Sequence, residues 1–104
     1  MTFKQIHAAR IISNIYELLV SEYTEMSRLC TGVQKGTIQV NRAKREFSEI
    51  RKDFKRYYRI FLNIEIKHFS RGYVICEKHE FVKQITNAHE LYFSYDKLID
   101  IVEF

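Results

Sequence analysis

Residues 41–68, NRAKREFSEIRKDFKRYYRIFLNIEIKH, decide the fold of this chain. Their apolar positions recur every three or four residues, which is the period of an α-helix with one buried side. A half-buried strand would instead alternate at every second residue. The stretch therefore predicts a long amphipathic helix, which we assign to residues 38–70. Its apolar stripe consists of Ala43, Phe47, Ile50, Phe54, Tyr57, Phe61, Ile64 and His68.

The same spacing on either side predicts two further helices, at residues 2–30 and 73–104. The first carries the stripe Ile12, Ile15, Leu19, Tyr23, Met26 and Cys30. The third carries Ile75, Val82, Ile85, His89, Tyr92, Ile99 and Val102. The chain has no proline and three glycines, which all fall between these stretches. Gly32 and Gly36 mark a loop at residues 31–37, and Gly72 marks the second reversal. We expect Gly32 to take the left-handed conformation that ends a helix.

Short connections between long helices favour antiparallel neighbours, so the predicted fold is an all-α, antiparallel three-helix bundle with coiled-coil-like packing. All 104 residues are assigned to one domain. Residues 60–77, IFLNIEIKHFSRGYVICE, offer an α+β alternative, because part of this stretch alternates apolar and polar residues as a strand hairpin does. An isolated two-stranded hairpin is only marginally stable, which favours the bundle.

Composition narrows the classes of function. No apolar run approaches the roughly 20 residues that a membrane-spanning helix needs, and the N-terminus lacks the pattern of a secretory signal. We therefore expect a cytoplasmic protein without a membrane partner. Two cysteines, Cys30 and Cys76, are too few for a disulfide scaffold. A bundle also places them at opposite ends, beyond the reach of a disulfide bond. The net charge of +4 is compatible with an acidic partner.

The second predicted helix sorts its charges by sign around its circumference. One group of cations with an adjacent tyrosine forms the candidate site for a partner or for nucleic acid, since several cations on one face can meet a polyanion together. The group consists of Arg51, Lys52, Lys55, Arg56, Tyr58 and Arg59. Antiparallel pairing through Gly72 gives partner residue numbers that sum to about 144. This register sets the group opposite residues 85–93, where Glu90 is the only acid.

The same register brings three acids of the third helix close to the start of the second. Asp96, Asp100 and Glu103 would neutralise the cations there, which are Arg42, Lys44 and Arg45. A solvated or internally neutralised helix face is thus the alternative interpretation of the basic run as a whole.

Residues 60–66 are apolar on almost every side of the helix, and such a segment is normally covered by more than one neighbour. This pattern predicts an oligomer interface and a homodimer. The candidate interface residues are Ile60, Leu62, Ile64 and Ile66.

The sequence contains little that indicates catalysis. His7, His68, Cys76 and His79 gather at one end of the predicted bundle, but two of the histidines lie on apolar stripes, and we predict neither a metal site nor a cofactor. No glycine-rich phosphate loop is present. We expect a small non-enzymatic regulatory or adaptor protein that binds another protein as a homodimer. The alternative is a helical protein that binds nucleic acid through its basic face.

Overall fold

Three α-helices make up the structure, a computed structural model that describes residues 3–69 and 80–102. They are α1 (Phe3–Lys35), α2 (Val40–Phe69) and α3 (Glu80–Val102). The predicted all-α bundle is confirmed. The hairpin alternative is wrong over residues 60–69, which are helical in α2. Its remaining residues, 70–77, lie outside the described part of the chain.

Contacts between side chains fix an up-down-up arrangement. Near one end, the Gln5 side chain of α1 donates a hydrogen bond to the His68 carbonyl oxygen of α2. These two helices are therefore antiparallel. Ser13 and Cys30 of α1 bond to Gln84 and Leu98 of α3, so α1 and α3 run in the same direction. The bundle is elongated, about 50 Å long and 21 by 17 Å across.

The predicted stripes of α1 and α2 form most of the core. Ile12, Leu19 and Met26 of α1 and Phe54 and Phe61 of α2 are fully buried. Tyr23, Ile50, Tyr57 and Ile64 are half-buried and pack against this core. In α3 the core also includes Ala88 and Tyr95, which the predicted stripe omitted. No helix in the described part of the chain is both long and apolar enough to cross a membrane.

The first connection is shorter than predicted, because α1 continues through Gly32 to Lys35. The prediction that Gly32 ends the helix is wrong, since Gly36 is the residue with the left-handed φ of 74°. The amides of Gly36 and Thr37 donate to the carbonyls of Val33 and Gly32. This pair of bonds is the Schellman motif, which satisfies the last carbonyls of a helix.

Gly32 allows close packing inside α1 and does not form the turn. It is buried inside α1, and a Cβ atom at this position would overlap the side chain of Ile38. The missing side chain thus lets the connection fold back against the end of α1.

Candidate functional site

Large rings fill the contact between α2 and α3. Phe54 meets Tyr95 with ring centroids 5.1 Å apart. Tyr58 and Tyr92 stack at 3.9 Å with nearly parallel planes. Because these side chains are bulky, the two helices touch through rings, whereas α1 approaches both of its neighbours more closely. We call this contact the aromatic seam.

The pairs in the aromatic seam correct the predicted register. Residue numbers sum to 147 for Tyr58 and His89 and to 149 for Phe54 and Tyr95, instead of about 144. Arg42 pairs with Glu46 of its own helix, at 3.3 Å. Glu103, one of the acids expected near Arg42, lies outside the described residues.

Three side chains, those of Tyr58, His89 and Glu65, form a hydrogen-bonded relay along one side of the aromatic seam. The Tyr58 hydroxyl lies 2.7 Å from His89 Nδ1, and His89 Nε2 lies 2.8 Å from a carboxylate oxygen of Glu65. A carboxylate can only accept, so Nε2 carries the proton that faces Glu65. In the neutral ring Nδ1 is then an acceptor, and Tyr58 donates to it. The relay fixes the orientation of all three side chains.

The environment of the relay keeps Tyr58 protonated. Burial raises the pKa of the Tyr58 phenol, and the nearby Glu65 carboxylate and Tyr92 raise it further. Burial also raises the pKa of Tyr92, together with its hydrogen bond to Tyr95, while Lys55 acts in the opposite direction. The relay therefore joins α2 to α3 through two hydrogen bonds.

Beside the relay, a surface cleft of about 310 Å³ opens between α2 and α3. Tyr58 and Tyr92 contribute aromatic surface, and Leu62 adds an aliphatic side chain. Lys55 and Arg59, one turn apart on α2, supply two positive charges. The cleft combines apolar surface with cations, which suits an anionic group carried on an apolar segment. We call it the basic cleft.

The cations of the predicted basic group differ in their ion pairing. Arg56 pairs with Asp53 at 3.2 Å and lies over the ring of Tyr57. Lys52, Lys55 and Arg59 form no ion pair with any residue that the structure describes.

Tyr58 does not have the exposed ring that stacking on a nucleic-acid base requires. Only 8% of its surface is accessible, because Tyr92 covers one face and Phe61 stacks nearby. Tyr58 lies beside Lys55 and Arg59 in the basic cleft, but its ring is too covered for a base to stack on it. Tyr58 comes directly after Tyr57 of the predicted apolar stripe, and its ring lies on the side of α2 that faces α3.

The four predicted interface residues do not share one surface. Ile64 packs against α1, and Leu62 lines the basic cleft. Ile60 and Ile66 expose 43% and 65% of their surface. Six residues of helix turn through 600°, which leaves these two about 120° apart around α2.

The opposite flank of α2 has the reverse charge. Burial and the nearby carboxylates of Asp53 and Glu25 all raise the pKa of Glu22 on α1. Mutual repulsion of this kind marks an acidic surface along the contact between α1 and α2. The bundle thus presents opposite charges on two sides of the same helix.

Sequence reasoning identified some of these residues but not their roles. His89 and Tyr92 were assigned to the apolar stripe of α3, and Leu62 to an oligomer interface. Glu65 was not singled out, because its carboxylate gains a role only when α3 brings His89 beside it. Among the residues that the structure describes, no group of three or more His, Cys, Asp or Glu side chains is arranged to hold a metal ion. No protein-family model, curated protein or solved structure matches the chain.

Proposed function

We propose that this chain is a non-enzymatic adaptor that binds an acidic, partly apolar segment of another protein in the basic cleft. One observation carries the proposal: Lys55 and Arg59 flank apolar and aromatic surface in a single cleft. Such a combination of ring and aliphatic surface with a few placed charges can serve as a recognition site. Electrostatic complementarity would provide specificity and fast association, and Leu62 and the tyrosine rings would add apolar contacts.

Two observations favour a protein segment over nucleic acid. The ring of Tyr58 is buried, so it offers no free face to a base. In the predicted group, Lys52, Lys55 and Arg59 form no ion pair in the described part of the chain. Three phosphate contacts would give single-stranded nucleic acid a salt slope of only about two.

The proposal gives the relay a structural role. The Tyr58 hydroxyl bonds to His89, which bonds in turn to Glu65, and these contacts connect α2 with α3. The proposal does not use the predicted interface of four residues, because Ile64 lines the cavity between α1 and α2 and Leu62 lines the basic cleft. Ile60 and Ile66 are exposed about 120° apart around α2.

Fluorescence anisotropy tests the proposal with two labelled probes of equal charge. One is an amphipathic peptide of alternating Leu-Leu and Glu-Glu pairs, and the other is single-stranded oligothymidylate. We expect the peptide to bind with a dissociation constant in the micromolar range at physiological salt and the oligonucleotide to bind at least tenfold more weakly. Reversal of charge in Lys55→Glu and Arg59→Glu should each weaken peptide binding about tenfold, since each removes one of the two cations in the cleft.

Lys67→Glu is the matched control, because this exposed lysine lies on α2 but about 120° around the helix from Lys55. Its peptide affinity should stay within twofold of the parent chain. Equal losses in all three variants would indicate nonspecific charge attraction and contradict the proposal. Tighter binding of the oligonucleotide, with a salt slope above about two, would favour the nucleic-acid alternative.

A further inference from the structure

A second cavity lies at the other side of α2, near the start of α1. It has a volume of about 280 Å³. Phe3, Ala8 and Ile11 of α1 and Ile64 of α2 provide its apolar lining. Phe3 exposes 87% of its surface, so the cavity is open to solvent beside this ring. The space is distinct from the basic cleft, which opens toward α3.

Basic side chains surround this apolar lining. Lys4, His7 and His68 contribute to the walls mainly through carbon atoms, while Lys4 and His7 are exposed to solvent. Long amphipathic side chains commonly pack their carbon stems against apolar surface and keep the polar end in water. The cavity is thus apolar inside, with a cation and an imidazole donor around its opening.

We propose that this cavity binds a short aliphatic carboxylate, with the alkyl chain inside and the carboxylate at Lys4 and His7. The volume of about 280 Å³ lies just below the range of pockets for drug-sized ligands, which suits a short alkyl chain. Charge complementarity selects an acid over an amine of the same length, because Lys4 is cationic and His7 has at least one N–H donor. The apolar lining selects an alkyl chain over a sugar or a small polar acid.

Nuclear magnetic resonance titration of the full, ¹⁵N-labelled chain tests this site. The probes are butyrate, hexanoate and octanoate, with octylamine as the ligand of opposite charge. We expect saturable shifts at the amides of Ala8, Ile11 and Ile64. Affinity should rise about fourfold for each added CH₂ group, which is the effect of burying one methylene. Octylamine should bind at least tenfold more weakly than octanoate.

Two charge reversals on α1 form a matched pair. Lys4→Glu should weaken octanoate binding at least threefold, whereas Arg10→Glu, on a different side of the same helix, should leave it unchanged. Both positions are exposed, so the fold should be retained, and circular dichroism checks that it is. Three results would each overturn the proposal. They are equal affinity for octanoate and octylamine, equal effects of the two variants, and no saturable shift with octanoate at a tenfold or greater excess over the protein. Failure here would not affect the basic cleft, which uses different residues.

Discussion

The contacts of α1 and the aromatic seam hold the same bundle together in different ways. α1 packs closely against its neighbours through small and aliphatic residues such as Ala8 and Leu19, and against the following connection at Gly32. The aromatic seam joins α2 to α3 through the rings of Phe54, Tyr58 and others, and through one polar relay. Small residues let helices approach, while rings separate their backbones.

This difference explains where the candidate site lies. Rings that hold two helices apart leave a cleft at the surface, and Lys55 and Arg59 lie along it. The aromatic seam therefore stabilises the fold and also carries the candidate site.

Phe54→Ala should have the largest effect on the aromatic seam. Phe54 is fully buried and its ring packs against Tyr95. Truncation removes the buried ring and leaves a cavity, at a cost of about 3–5 kcal/mol in unfolding free energy. Urea denaturation followed by circular dichroism measures this loss.

Phe93→Ala is the matched control for this measurement. Phe93 is on α3 next to the aromatic seam but exposes 70% of its surface. Its truncation should change the unfolding free energy by less than about 0.5 kcal/mol, as surface substitutions usually do. Similar losses of unfolding free energy in the two variants would show that the Phe54 ring is not buried in the aromatic seam.

Tyr58→Phe should have an intermediate effect, because it removes one hydroxyl from the relay and keeps the ring. His89 Nδ1 then loses its donor, and an unsatisfied polar group costs about 1–3 kcal/mol. The lower part of that range is expected, since the His89 side chain is 31% exposed and water can reach it. Tyr16→Phe, a half-buried tyrosine on α1, serves as the comparison.

The pH dependence of Tyr58→Phe gives a second readout. The folded-state pKa of Tyr58 is raised above its unfolded value, so the folded chain retains this proton more strongly. The associated stability is present below a pH of about 10 and is lost as pH rises through the folded-state pKa. Between pH 9 and 11 the parent chain should therefore lose more stability than Tyr58→Phe. Identical pH profiles of stability for the two chains would contradict a Tyr58 phenol that is buried and bonded to His89.

The fold could be predicted from the sequence because helical periodicity depends on local spacing. The stripes at Ile12, Leu19, Phe54 and Phe61 are buried as that spacing requires. The end of α1 could not be predicted in the same way. Two glycines four residues apart can each end a helix, and only the tertiary contact with Ile38 distinguishes Gly32 from Gly36.

The candidate site was less predictable, since it depends on the register between helices. A shift of three to six in the sum of the paired residue numbers places Tyr58 beside His89 and under Tyr92. A wheel of α2 alone assigns Lys55 and Arg59 to an outer flank correctly. It cannot show that Glu65 meets an imidazole from α3.

Gly32→Ala should have the smallest net effect, and it probes the close packing at α1. Alanine favours the helix by about 1 kcal/mol over glycine. Its Cβ atom would overlap the side chain of Ile38, and overpacking costs about 1–3 kcal/mol. The closest atoms are the outer ones of the Ile38 side chain, which can shift, so the lower part of that range is expected. The net result is then a loss of about 1 kcal/mol or less in unfolding free energy.

The sign of the Gly32→Ala effect should reverse in an Ile38→Ala background. Without the Ile38 side chain the overlap disappears and the helix preference of alanine remains, so the same substitution should then stabilise the chain by up to about 1 kcal/mol. This double-mutant cycle isolates the contact, because the two residues touch directly. An equal effect of Gly32→Ala in both backgrounds would mean that close approach is not what requires glycine here. The close packing of α1 would then differ from the aromatic seam in composition only, and not in its tolerance of added volume.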